Sequence, residues 1–137
     1  RSLRDIEQIK RPLDIPDSGL VTDLLWSDPN PNIRDWGQNE RGTSISYGLN
    51  AVTNFLEAND FDLICRAHEC VANGFDFPFG RERKLLTIFS APNYCGDSEN
   101  NGAILLIDSN LHCTFEQIKS LESTNQSIGR PYTPYSV

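Results

Sequence analysis

The sequence predicts an α+β fold, an α/β sandwich, and three observations lead to it. Residues 49–59 carry apolar side chains at helical spacing, which predicts an amphipathic helix. The apolar run Leu63–Cys65 follows and ends at polar residues, as is typical of a strand buried on both faces. From residue 74 onward, alternating residues and turn signals predict antiparallel strands. This order of elements indicates one mixed domain.

The composition restricts the classes of partner. The chain has 137 residues, which is enough for one domain with a core. Its net charge of -7 disfavours nucleic acid, because phosphate backbones require clusters of Lys and Arg. No apolar run approaches the length of a membrane span, so we expect no membrane partner. The four cysteines form no Cys-x-x-Cys pair, and we interpret them as reduced thiols of an intracellular protein.

The first half of the chain predicts short helices separated by loops. Residues 2–10 predict a helix, with a serine at its cap and a proline beyond its end. Residues 19–26 predict a second short helical segment. Residues 28–32 contain two prolines and predict irregular structure, and residues 33–48 predict a long ordered loop.

The second half predicts β-structure. Strands are predicted at residues 74–79, 85–89, 103–107 and 111–118, with turns at 78–83 and 108–110 and a loop at 90–101. Three or four of these strands are expected to form one antiparallel sheet. From residue 120 the chain becomes polar, which predicts a flexible tail. We therefore divide the chain into a domain of residues 1–119 and a tail of residues 120–137.

Three loops carry residues that suit phosphate chemistry. Arg41 precedes a glycine, so its guanidinium can approach an oxyanion and bind it at two points. His68 leaves the end of the buried strand, and Tyr94 lies on the loop after a strong strand. Each has an ordinary alternative: a solvent arginine, a histidine bonded to a carbonyl, or a half-buried turn tyrosine. A catalytic metal site needs about three protein ligands or more, so these residues give only half of a site.

Four ordered motifs resemble the phosphoprotein phosphatase family of metal-dependent Ser/Thr protein phosphatases. The motifs are Leu24-Leu25-Trp26-Ser27-Asp28-Pro29, Arg41-Gly42, Arg66-Ala67-His68 and Phe89-Ser90-Ala91-Pro92-Asn93-Tyr94-Cys95-Gly96. The resemblance is strongest to the type 1 catalytic subunits, through residues 62–68 and 93–96. The resemblance implies that this chain corresponds to the C-terminal half of the family's catalytic domain. We therefore expect the remaining metal motifs to lie in an N-terminal half outside it.

The resemblance implies a β-sandwich with flanking helices that holds two divalent metal ions, manganese or else iron or zinc. In the family these metals activate a water that attacks phosphoserine or phosphothreonine in proteins. The resemblance makes His68 a metal ligand, while Arg41 binds phosphate oxygens and Tyr94 lies beside the phosphate. Three further positions match the substrate grooves: Trp26 in the apolar groove, Asp28 in the acidic one, and Cys95.

The resemblance also implies protein partners. These are phosphoprotein substrates and regulatory subunits that carry Val-x-Phe type motifs. Four apolar residues match the groove that binds such motifs: Leu63, Phe77, Cys113 and Phe115. Ordinary sheet core explains the same four side chains equally well. Members of the family act in the cytoplasm or the nucleus, so we expect one or both locations here.

Two functions follow from the resemblance. The first is metal-dependent hydrolysis of phosphoserine and phosphothreonine, with this chain inactive unless the N-terminal half is present. The second is a non-catalytic protein-interaction module that retains the docking groove. Intact metal motifs in the sequence before Arg1 would favour the first function. Binding of a Val-x-Phe peptide independently of metal would favour the second.

Overall fold

The α-helices that the structure describes are short, and they lie in the first half of the chain. The computed structural model describes residues 2–119, and the predicted tail lies outside them. The α-helices are α1 (Leu3–Glu7), α2 (Leu20–Trp26) and α3 (Leu49–Asn59). Single 3₁₀ turns lie at Gly80–Glu82 and Tyr94–Gly96. Among the described residues, no helix combines the length and the apolar character that crossing a bilayer requires.

Eight short strands form three small sheets. They are β1 (Asp28–Pro29), β2 (Trp36–Gln38), β3 (Ile45–Tyr47), β4 (Ile64–Arg66), β5 (Phe75–Asp76), β6 (Leu85–Ile88), β7 (Gly102–Ile107) and β8 (Cys113–Ile118). In the first sheet, β3 lies between the parallel β1 and the antiparallel β2. In the second, β6 lies between the parallel β4 and the antiparallel β5. Strands β7 and β8 form an antiparallel ribbon.

The core lies between α3 and β6. Val52 and Leu56 of α3 pack with Leu85, and each of these side chains is at most 3% exposed. Tyr47 of β3 and Ile64 of β4 pack against the same cluster. Full burial of one such aliphatic side chain contributes about 1.5–3 kcal/mol to stability. This packing fixes α3 relative to the strands that carry the polar residues described below.

The β7–β8 ribbon packs onto β5. Phe115 stacks on Phe75, with ring centroids 4.0 Å apart and ring planes at 4°. The ribbon also approaches the backbone of Gly74, which has a φ of +76°. A Cβ at Gly74 would lie 2.3 Å from the carbonyl carbon of Gly102. A side chain at position 74 would therefore be destabilising for two reasons. The backbone is left-handed, and the ribbon approaches it too closely for a Cβ.

The predicted α+β class is confirmed. Helix α3 spans the predicted residues 49–59, and α2 begins one residue after the predicted start. Helix α1 is shorter than the predicted segment 2–10, because it buries no residue and a short helix without packing is marginal.

Several strand predictions are wrong. The segment predicted to be irregular begins with β1, where Pro29 is tolerated because β1 is an edge strand. The predicted loop at 33–48 contains β2 and β3. Strand β4 is not buried on both faces, since Cys65 is exposed. The predicted single antiparallel sheet is instead divided, because β6 pairs in parallel with β4 and the ribbon forms a sheet of its own.

Candidate functional site

The carboxylate of Asp28 is the centre of a charged cluster. Its Oδ2 accepts a hydrogen bond from Arg41 Nε at 2.6 Å, and its Oδ1 accepts one from Arg66 Nη2 at 2.7 Å. The same Oδ1 lies 3.1 Å from His68 Nδ1. Arg66 also binds Glu69 at 2.5 Å. Two arginines and two carboxylates therefore meet in one network next to an imidazole.

Strand ends and turns bring these residues together. Asp28 begins β1, which runs beside β3, and Arg41 lies in the turn between β2 and β3. Arg66 is the last residue of β4, and His68 follows two residues later. The φ of His68 is +76°, a left-handed conformation that is uncommon for residues other than glycine. The left-handed residue therefore lies two positions after the end of β4.

Burial and charge act against each other at the carboxylates. Burial raises the pKa of Asp28, but hydrogen bonds from Arg41 and Arg66 outweigh it and bring the pKa below its usual value. For Glu69, burial raises the pKa, and the Arg66 charge only partly opposes this. Burial also raises the pKa of Tyr47 to about 12. Asp28 is therefore ionised near neutral pH and pairs with both guanidinium groups.

The two arginines are used differently. The side chain of Arg66 is 13% exposed, and its Nη groups bind Glu69, Asp28 and the Ser27 carbonyl. The side chain of Arg41 is 40% exposed and is bound to Asp28 through Nε. Within residues 2–119, neither Nη group of Arg41 has a hydrogen-bond partner. Arg41 thus presents the end of its guanidinium to solvent from an anchored stem.

The predicted site residues His68 and Tyr94 line the same cleft. This cleft has a volume of about 300 Å³ and is also lined by apolar groups: Ala67, Ile88, Phe89 and Ala91, with Ser90. The Tyr94 ring meets Phe89 edge to face, with centroids 5.1 Å apart, and remains 48% exposed. Cys95 follows on the same turn with a φ of +58°, and its thiol is exposed. Arg41 is linked to this cleft through Asp28, which contacts His68.

The residues predicted to line substrate grooves have different surroundings. Trp26 meets His68 edge to face at 5.2 Å and lines a second cleft, with Ile15 and Thr22 among its neighbours. The placement of Asp28 in the acidic groove stays a prediction. Asp28 is only 8% exposed, and arginines bind both of its carboxylate oxygens.

Of the four residues predicted to form a docking groove, Cys113 and Phe115 lie on β8 and Phe77 contacts Phe115. Phe77 meets Phe115 edge to face at 6.2 Å, and Arg83 lies over the Phe77 ring at 5.4 Å. Cys113 is exposed at the start of β8, and Leu63 is half-buried just before β4. The structure thus brings the two phenylalanines together, and their part in binding stays a prediction.

The residues present do not form a metal centre by themselves. Among residues 2–119, no group of three or more His, Cys, Asp or Glu side chains could hold a metal ion. His68 is available as one ligand, but a catalytic site needs about three protein ligands. The carboxylate of Asp28, which contacts His68, is already bound by two guanidinium groups. A metal at His68 would need ligands other than those in the described part of the chain.

Arg66, Glu69 and Asn39 belong to the site but carry no predicted role. A charged residue at the end of an apolar strand was a usable signal for Arg66, because such a group needs a partner when it is buried. Asn39 gives no comparable signal in the sequence, since asparagine is common in turns. Its role depends on contacts with residues 26, 28 and 45, which lie 13, 11 and 6 positions away.

Comparison with known proteins identifies the family. A family model for the Calcineurin-like phosphoesterases matches residues 1–72, more than half of the chain, and this stretch contains the whole Asp28 cluster. A solved structure of a protein serine/threonine phosphatase from Saccharomyces cerevisiae, with similarity to human phosphatase PP5, matches with a TM-score of 0.77 and 28% identity. The match covers 90% of this chain and 41% of the yeast chain. The chain belongs to the Calcineurin-like phosphoesterase family.

Proposed function

We propose that this chain is part of a metal-dependent phosphatase that hydrolyses phosphoserine and phosphothreonine in proteins, most like the type 1 catalytic subunits. The family membership supports phosphoester hydrolysis, and the yeast serine/threonine phosphatase supports the substrate class. Because the chain spans about two fifths of the yeast protein's length, it supplies only part of the active site in this proposal. The described residues are therefore not expected to turn over substrate alone.

The anchored guanidinium of Arg41 is the observation that carries the proposal. Asp28 fixes Nε, and the two Nη groups face outward from a side chain that is 40% exposed. Two parallel N–H groups suit two oxygens of a phosphate monoester. A guanidinium held in place before the reaction can stabilise the charge that develops on the phosphoryl oxygens in the transition state.

His68 and Tyr94 complete what this chain contributes. With one nitrogen of the imidazole facing Asp28, the other is available for a ligand, and the contact with Asp28 sets the orientation of the ring. The exposed Tyr94 hydroxyl can donate a hydrogen bond to substrate from the wall of the shared cleft. Trp26 and Cys95 are proposed to belong to the substrate grooves.

Calcineurin-like phosphoesterases use divalent metals. We propose two ions for the complete enzyme, with manganese preferred over iron or zinc. Since the described residues do not fit a metal centre, we assign no step of the reaction to a metal here. We further propose phosphoprotein substrates, regulatory subunits with Val-x-Phe type motifs, and action in the cytoplasm or nucleus.

The test is phosphate release from a phosphoserine peptide by the full-length protein with manganese. Arg41→Ala should lower kcat/KM by about 100-fold or more, because it removes a transition-state contact. Arg81→Ala is the matched control, since Arg81 is exposed on a 3₁₀ turn away from the cluster. Equal activity of the Arg41 variant and the control would overturn the role of Arg41. Absence of phosphate release under all metal conditions would overturn the proposed reaction.

A non-catalytic interaction module is the second candidate, and the aromatic cluster of Phe75, Phe77 and Phe115 favours it. In that case a Val-x-Phe peptide should bind with the same affinity in chelator and in manganese. Isothermal titration of the Phe77→Ala variant should then show a weaker complex. Phosphate release by the same protein would refute this second candidate, because the candidate is non-catalytic.

A further inference from the structure

One buried asparagine holds the backbone of Arg41. Asn39 is 4% exposed, and its Oδ1 accepts a hydrogen bond from the Arg41 backbone N–H at 2.8 Å. Its Nδ2 donates to the Trp26 carbonyl at 3.1 Å and lies 3.4 Å from both Asp28 Oδ2 and the Ile45 carbonyl. The amide therefore ties the Arg41 turn to the segments on both sides of it. Both polar atoms of the amide are in use, so the side chain has one preferred orientation.

A second buried asparagine holds the backbone of Tyr94 in the same way. Asn100 is 2% exposed, and its Oδ1 accepts a hydrogen bond from the Tyr94 backbone N–H at 2.8 Å. Its Nδ2 donates to the carbonyls of Ala91 at 2.8 Å and Asn101 at 2.9 Å. The amide spans the base of the loop that carries Tyr94. The two asparagines thus make the same pair of connections on two different loops.

We propose that Asn39 and Asn100 are positioning residues that set the places of Arg41 and Tyr94 for the reaction. The inference rests on the proposed function for its consequence in catalysis, but not for its structural part. Loops have few packing contacts of their own, so a buried side-chain amide replaces the support that a strand would give. Arg41 is then fixed at two points, its backbone by Asn39 and its Nε by Asp28.

This double attachment gives a specific expectation. If Asn39 is removed, Nε can remain bound to Asp28 while the backbone moves, and the outward Nη groups shift with it. A displacement of roughly 1 Å at a group that contacts the reacting phosphate can cost about 100-fold in rate. This loss of rate should depend on Arg41. Removing Asn39 should therefore have little further effect when Arg41 is itself truncated.

The structural part is tested by hydrogen exchange at single amides in the full-length protein. Asn39→Ala should accelerate exchange of the Arg41 amide by about tenfold or more, because its acceptor is gone. Asn39→Asp keeps an oxygen acceptor at that position but sets a second carboxylate beside Asp28 Oδ2, so it should restore only part of the protection. Asn59→Ala is the matched control, since the Asn59 amide donates to the Phe55 carbonyl on α3, far along the chain from Arg41. If Asn39→Ala does not fold, Asn100→Ala and Asn100→Asp give the same comparison at the Tyr94 amide.

The catalytic part is tested by a double-mutant cycle on hydrolysis of a phosphoserine peptide. Asn39→Ala should lower kcat/KM by about 100-fold in the natural background and by less than about threefold in the Arg41→Ala background. Unchanged exchange of the Arg41 amide in Asn39→Ala overturns the proposal, as does an equal loss of kcat/KM in both backgrounds. A protein without phosphatase activity refutes the proposed function instead, and the exchange data still decide whether the asparagines hold the loops.

Discussion

Replacing Asp28 by alanine should lower the free energy of unfolding by about 3 kcal/mol. The hydrogen bond from Arg66 is the largest part, because Arg66 is 13% exposed and charged hydrogen bonds contribute about 1.5–3 kcal/mol. The bond from Arg41 adds less than about 1 kcal/mol, since that side chain is 40% exposed and water can replace the carboxylate. Glu69 still pairs with Arg66 in the variant, which keeps the loss below that of a fully unpaired buried charge.

The measurement is urea unfolding of the purified full-length protein, followed by far-UV circular dichroism. Asp28→Asn should cost roughly half as much as the alanine variant, because it keeps one acceptor but removes the charge. Glu57→Ala is the control, since Glu57 is exposed on α3 and should change the free energy of unfolding by less than about 0.5 kcal/mol. A loss under about 1 kcal/mol in Asp28→Ala, with an unchanged slope against urea, would refute the view that this carboxylate holds the site together.

Three further predictions follow from other features. Burial raises the pKa of Asp28, but its two arginines lower it by more, so the net pKa in the folded state is depressed. This carboxylate therefore stabilises the fold above its unfolded pKa, and that contribution is lost as pH falls through its folded pKa. Acid titrations of unfolding should therefore show a loss below about pH 4 that is smaller in Asp28→Asn. Gly74→Ala should cost about 2 kcal/mol or more in thermal unfolding, against about 1 kcal/mol for Gly80→Ala, because both have positive φ but only Gly74 also meets backbone. Phe115→Ala should cost about 2 kcal/mol through loss of the stacked ring, and an unchanged melting temperature would contradict this.

Local patterns in the sequence were sufficient for some elements and not for others. Helix α3 is predictable from apolar residues at helical spacing, because the residues of its buried face recur in consecutive turns. Strands β1, β2 and β3 are two or three residues long, and no periodicity can be read from so few positions. They exist because they pair with one another across up to about 20 residues, which is a tertiary effect.

The site divides in the same way. Arg41, His68 and Tyr94 stand next to recognisable motifs, so the amino-acid sequence is sufficient to single them out. The contacts that hold them are not predictable in this way, because the partners lie far apart in sequence: Asp28 and His68 are separated by 40 positions. The burial of Asp28, which is 8% exposed, is likewise not predictable from its neighbours along the chain. The Asp28 carboxylate is bound by two arginines, Arg41 and Arg66, which lie on other parts of the fold.

The edge-to-face contact between Trp26 and His68 has an optical consequence. The chain has two tryptophans, and Trp36 is 64% exposed, so a Trp36→Phe variant leaves Trp26 as the reporter. The Trp26 indole lies with its ring centroid 5.2 Å from the imidazole. A cation bound at His68 would place positive charge beside the excited indole and should quench its emission. Emission from Trp26 in the Trp36→Phe variant should therefore report the binding of a cation at His68 without substrate or turnover.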